Sequence, residues 1–107
     1  MAVEVNADTF ENEVLKSELP VLVDFWGPQC GPCLALMPEV EELADRYASR
    51  LKVSKIDASR NRRLCLNLRV LGLPTFLLYK KGKEVGRLSG QTLKIADIEA
   101  AVKGIVG

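Results

Sequence analysis

The segment Val21-Leu22-Val23-Asp24-Phe25-Trp26 constrains the fold more than any other part of the chain, with Pro20 opening it and Gly27-Pro28 closing it. An almost unbroken apolar run of this length is too short to cross a bilayer. It predicts a central strand with both faces buried, because a half-exposed strand would alternate apolar and polar residues. Such a strand needs cover on two sides, and the remaining periodicities say what supplies it.

Upstream, Val3-Glu4-Val5 alternates briefly, and Asp8 is the expected cap of a first helix, with Glu11 three residues on and Phe10 and Val14 on one face. Downstream, Leu36, Val40, Leu43 and Tyr47 recur at helical spacing, while Glu39, Glu41, Glu42 and Asp45 fill much of the remainder. Pro38 lies inside this second helix and predicts a kink. Leu51 to Ile56 alternates like a strand, and Ser59 to Leu68 is a polar, Arg-rich stretch with a short helix-like pattern. Gly72-Leu73-Pro74 breaks into Thr75 to Tyr79, and Lys81-Gly82 turns the chain into Glu84 to Leu88, an antiparallel hairpin. The last helix places Ile95, Ile98, Val102 and Ile105 on one face after a Thr92 cap. This order implies an α/β fold, one mixed sheet with helices on both faces.

A chain of 107 residues suits one domain, residues 1–107, with one core. Its net charge of +1 favours neither nucleic acid nor an anionic membrane as partner. Met1 to Asn6 shows no basic segment leading into a long apolar run, so the expectation is a soluble cytoplasmic protein. Three cysteines are too few for a disulfide scaffold; in a reducing cytosol they are redox-active, metal-binding or buried thiols.

Two of them, Cys30 and Cys33, stand three apart where the second helix begins. A cysteine at or before a first helical turn faces free N–H groups and the positive end of the helix dipole, which favour a thiolate. Cys33 lies one turn further in and is expected to be more buried. Cys30 therefore attacks a substrate disulfide, and Cys33 resolves the mixed disulfide. The intervening Gly31-Pro32 supplies no cation or side-chain donor, which leans toward a reductant, since extra thiolate stabilisation would make an oxidant. The alternatives are half of a zinc site and a purely structural disulfide. Zinc wants four ligands, and the chain has no histidine and only Cys65 besides. Asp24, alone in an apolar strand, is expected to have a raised pKa and to take a proton from Cys33 through a water; its structural alternative is an ion pair with Lys55.

Val23-Asp24-Phe25-Trp26, Cys30-Gly31-Pro32-Cys33, Pro38, Lys55, Gly72-Leu73-Pro74-Thr75, Gly82 and Gly90 together resemble the thioredoxin family over essentially the whole chain. The resemblance implies a five-stranded mixed sheet of order 1-3-2-4-5 flanked by four helices, with a cis peptide before Pro74. It implies a protein-disulfide reductase, monomeric and without cofactor or metal, that acts on disulfide-containing proteins and is re-reduced by a thioredoxin reductase. Pro74 would lie beside the cysteines and backbone near Leu73 would pair with the substrate chain. Trp26, Gln29, Gly31, Pro32 and Gly90 complete the expected substrate surface, although a bare Trp26 is as easily core; the lesser alternative for Pro74 is an ordinary loop proline.

Both flanks of the motif depart from the family's usual Trp-Cys-Gly-Pro-Cys-Lys: Gln29 replaces an aromatic and Leu34 a cation. The first change removes apolar docking area and the second a charge that helps ionise Cys30, so a specialised partner set is the expectation. Cys65 reads as a buried thiol or a regulatory one. Arg60, Arg62, Arg63 and Arg69 read as a solvated face or a dock for an acidic partner. Two competing functions stand beside the reductase: a thiol-disulfide oxidase or isomerase, and a redox-inactive docking subunit.

Overall fold

The computed structural model describes residues 1–107. Its strands are β1 (Val3–Glu4), β2 (Val21–Trp26), β3 (Lys52–Asp57), β4 (Thr75–Lys80) and β5 (Lys83–Ser89), in the sheet order β1-β3-β2-β4-β5. β1, β3 and β2 run parallel, while β4 and β5 are antiparallel to their neighbours, so the sheet is mixed. The helices are a π-helical segment (Glu11–Leu15), α1 (Gly31–Arg46), α2 (Arg62–Asn67) and α3 (Ile95–Val106), with a 3₁₀ turn at Ala58–Arg60 ahead of α2.

The apolar run that becomes β2 does lie at the centre, and its side chains alternate between two layers. Leu22 packs with Leu36, Val40 and Leu43 of α1 and with Ile98 and Val102 of α3. Val21, Val23 and Phe25 point the other way, to Phe10, Val14, Cys65 and Val70. On that second side the Phe10 ring meets Tyr79 edge-on, centroids 5.9 Å apart. Asp24 follows the Leu22 parity and so faces the α1 side. The ladder places Glu4, Lys55, Asp24, Phe76 and Leu88 in one row across the five strands.

Two expected caps are replaced. The first helical segment has Phe10 at its N-cap and no side-chain cap; Asp8 lies in the turn before it, where Asn6 Oδ1 accepts from the N–H groups of Asp8 at 2.8 Å and Thr9 at 3.1 Å. Lys94, not Thr92, precedes α3, and its N–H donates to Asp97 Oδ2 at 3.1 Å. Neither start carries a side-chain oxygen on its N-cap residue; at α3 the contact runs the other way, from the N-cap N–H to an acid in the first turn. α1 continues through Pro38 to Arg46. The hairpin turns at Lys81 (φ 53°) and Gly82 (φ 80°), and a bulge follows opposite Leu78 and Tyr79. A Cβ at Gly82 would stand 2.9 Å from the Leu15 carbonyl oxygen, so only glycine suits both the turn and its contact. No helix is long and apolar enough to cross a membrane.

Candidate active site

β2 ends at Trp26 and delivers the chain through Gly27-Pro28 to the amino end of α1. Cys30 is the N-cap residue, in extended conformation, with Gly31 and Pro32 opening the helix. Proline suits this first turn because its missing N–H has no helical partner there anyway. Cys30 is half-buried and Cys33 is 2% exposed. Their sulfurs are bonded, with Cα atoms 5.3 Å apart. The Cys33 N–H donates to Cys30 Sγ at 3.2 Å. When the bond is opened, the same N–H and the helix dipole favour a negative Cys30 sulfur.

Cys30 opens onto a cleft of about 510 Å³, lined by Gly27, Pro28, Gln29, Gly31, Pro32, Ala58, Ser59, Leu73 and Gln91. Four of the expected substrate-contacting residues, Gln29, Gly31, Pro32 and Leu73, thus gather around one sulfur. Gly27 lets Leu73 close in, since a Cβ there would lie 3.2 Å from Leu73 Cδ1. The Leu73–Pro74 peptide is cis, and Pro74 is buried. The Pro74 carbonyl accepts from the Gly90 N–H at 3.1 Å, and Thr75 Oγ1 donates to the Gly72 carbonyl at 2.6 Å. Gly90, at φ 126°, lines a neighbouring cleft of about 290 Å³ that shares Leu73 with the first. Trp26 does not line the cleft; it is half-buried, with its indole N–H enclosed and without a hydrogen-bond partner.

Asp24 is 1% exposed, and neither carboxylate oxygen has a hydrogen-bond partner. Desolvation pushes its pKa up to about 7, against the opposing pull of the Lys55 ammonium and with smaller upward contributions from Glu4 and Glu41. Lys55 stands next to it in register, but its hydrogen bond goes to Glu41 Oε2 at 3.2 Å. The expected Asp24–Lys55 contact is therefore a through-space attraction, because a more accessible carboxylate on α1 takes the ammonium. Burial likewise raises the Glu4 pKa, offset by Lys55 and by the Trp26 indole; the latter approaches Glu4 loosely, short of hydrogen-bond geometry.

The sequence reading did not single out Gln91, Ala58, Ser59 or Glu41. Gln91 and Glu41 reach the site through tertiary packing, and Glu41 was indistinguishable from the other acids on its helix. Cys65 is buried, and that burial pushes its thiol pKa up, with the negative Asp57 adding to the effect. A second apolar cleft, about 320 Å³ and floored in part by Cys65, adjoins the first at Leu73 and Ala58 and carries the exposed Leu66 and Leu71. No three His, Cys, Asp or Glu side chains gather as ligands for a metal ion.

The sequence model of the thioredoxin family matches residues 1–104. The thioredoxin of Acetoanaerobium sticklandii is 43% identical over 100 residues, covering 94% of this chain and 95% of that protein. The thioredoxin of Peptoclostridium acidaminophilum is 41% identical over 107 residues, covering 100% and 97%. That of Acidithiobacillus ferridurans is 48% identical over 89 residues, covering 79% and 82%.

Proposed function

This chain belongs to the thioredoxin family of thiol-disulfide oxidoreductases, and from that premise we propose how its own residues reduce a protein disulfide. The observation that carries the reading is the bonded Cys30–Cys33 pair at the amino end of α1, with Cys30 open to a cleft and Cys33 enclosed. In the reduced protein, the Cys30 thiolate attacks one sulfur of a substrate disulfide. A bond forms between Cys30 Sγ and that sulfur, the substrate S–S bond breaks, and the other substrate sulfur leaves as a thiolate that takes a proton from water. Cys33 then loses its proton to Asp24 through a water and attacks Cys30 Sγ. The Cys30–Cys33 bond forms, the mixed disulfide breaks, and the second substrate thiolate departs. Two electrons have passed to the substrate.

Asp24 suits its role because a carboxyl with a pKa of about 7 accepts and returns a proton near neutral pH. Gln29, Gly31, Pro32 and Leu73 form the substrate's landing surface, with the Leu73 backbone pairing with the extended substrate chain and Pro74 and Gly90 shaping that edge. Trp26 supports the loop from behind. Family membership implies disulfide-containing substrates and a reductase in general. We assign a thioredoxin reductase as electron donor. Residues 1–107 act as one domain and as a monomer in the cytoplasm, where a buried free thiol such as Cys65 stays reduced. Gln29 and Leu34 are both exposed and flank the cysteines, which favours a specialised target set over a general one.

Insulin-type disulfide reduction, run with candidate reductases in turn, tests activity and donor together. Cys33→Ser is expected to abolish turnover and to trap substrate proteins covalently on Cys30. Unchanged binding of partners by Cys33→Ser, with no disulfide turnover by the wild type, would instead identify a docking subunit.

A further inference from the structure

Four charged side chains meet on the α1 side of the sheet, and their pairing is uneven. Glu4, Lys55 and Asp24 stand in one row across β1, β3 and β2, and Glu41 reaches Lys55 from α1. Lys55 Nζ lies 3.2 Å from Glu41 Oε2, whereas Asp24 keeps both oxygens unpartnered although its strand is the next one over. Phe76, the β4 neighbour of Asp24, brings no charge. Glu41 is held by a second contact, the Ala2 N–H donating to its Oε1 at 2.9 Å. Its side chain is 34% exposed, against 1% for Asp24 as a residue. An ammonium shared by two carboxylates settles on the one that stays ionised at lower desolvation cost. The Ala2 N–H first, and then Lys55, favour the charged form of Glu41 and hold its pKa below the usual range.

We propose that Glu41 is a positioning residue: by engaging the Lys55 ammonium it keeps that cation from pairing with Asp24, and so leaves the Asp24 carboxyl able to exchange a proton with Cys33. The purpose of this arrangement rests on the dithiol mechanism above; the arrangement itself does not. If Glu41 let go, the Lys55 side chain would be free to turn to the unpartnered carboxylate beside it, and a contacting cation would hold Asp24 ionised.

The test reads the Asp24 carboxyl directly, by carbon-13 NMR titration of the oxidised protein, where no turnover is needed. The wild type is expected to titrate at about 7. Glu41→Gln keeps an oxygen for the Ala2 N–H but loses the charge that holds Lys55, and the Asp24 midpoint is expected to fall by roughly one pH unit or more. Loss of a nearby negative charge alone also lowers the midpoint, so the substitution is repeated in a Lys55→Met background. There the shift is expected to shrink to less than half, since Glu41 acts through Lys55. An unmoved midpoint in Glu41→Gln, or shifts of equal size in the two backgrounds, overturns the proposal. Insulin reduction by the wild type is scored separately, so a failed titration and a failed reductase assignment are told apart.

Discussion

A single buried carboxylate makes a contribution to stability that runs with pH in the direction opposite to that of a paired surface acid. Asp24 titrates at about 7 in the folded chain because desolvation outweighs the attraction of Lys55, whereas in the unfolded chain a free aspartate titrates near 4. Between those values the folded state holds a proton that the unfolded state has released. The contribution of Asp24 to stability is therefore full below pH ~4, declines as pH rises to about 7, and stays at the lower level above it. Three pH units correspond to roughly 4 kcal/mol. Asp24→Asn escapes this loss, so guanidinium denaturation is expected to show the variant more stable than wild type at pH 8.5, with the difference shrinking toward pH 4.5. A difference of equal size at both pH values would refute the assignment. The same variant is expected to release trapped substrate more slowly above neutral pH, read as slower insulin reduction. Asp24 was legible in the sequence as the one charge in an apolar run. The bond that Lys55 makes was not, because only the pairing of β1 with β3 and the descent of α1 bring Glu41 to it.

The second helical region shows what an element needs beyond its own sequence. α2 has only six residues and no side-chain cap at its start, too short to persist on tertiary-independent terms. Its carboxyl end is held from outside: Arg87 of β5 donates to the carbonyls of Leu68 at 2.8 Å and Arg69 at 2.9 Å, while Glu84 grips the same guanidinium through two contacts of 2.8 Å. Arg69 sits at φ 59°, beyond the helix, where the chain reverses toward the Gly72-Leu73-Pro74 loop. Arg87→Ala is expected to cost about 1–3 kcal/mol in chemical denaturation, since charge-assisted bonds to two carbonyls are lost. Glu84→Gln should cost less than about 1 kcal/mol, because an ion pair at a partly exposed site contributes little by itself. Equal losses would show that the ion pair, and not the carbonyl clamp, matters. This explains why Ser59 to Leu68 was the hardest stretch to read: its helix depends on a residue some twenty positions later. β2 and α1, by contrast, carry their own signals of unbroken apolarity and a 3.6-residue period, and both lie where those signals put them.

At the scale of the whole molecule, two apolar layers enclose one sheet, and the site lies where β2 hands over to α1 at the sheet's end. The layers on either side of β2 are of comparable size, so neither helix pair is dispensable. Ile98, fully buried, joins α3 to the layer that also seats α1. Ile98→Ala is expected to destabilise the chain by about 2–5 kcal/mol, a large share of the roughly 5–15 kcal/mol typical of a domain, read as a lower thermal midpoint. The layering was legible because a strand apolar on both faces demands cover on both. The strand order was not contained in the periodicities and came from the resemblance of several motifs taken together. Residues of the cleft drawn from distant loops, such as Gln91, had no local pattern to announce them. One buried group turns these layers into something that can be watched. With Cys30 and Cys33 joined, Cys65 is the sole remaining thiol and lies in the layer opposite α1. Its uptake of a maleimide in the oxidised protein therefore clocks how often the apolar cleft above it widens enough to admit the reagent, a breathing rate obtained from a label the chain already carries.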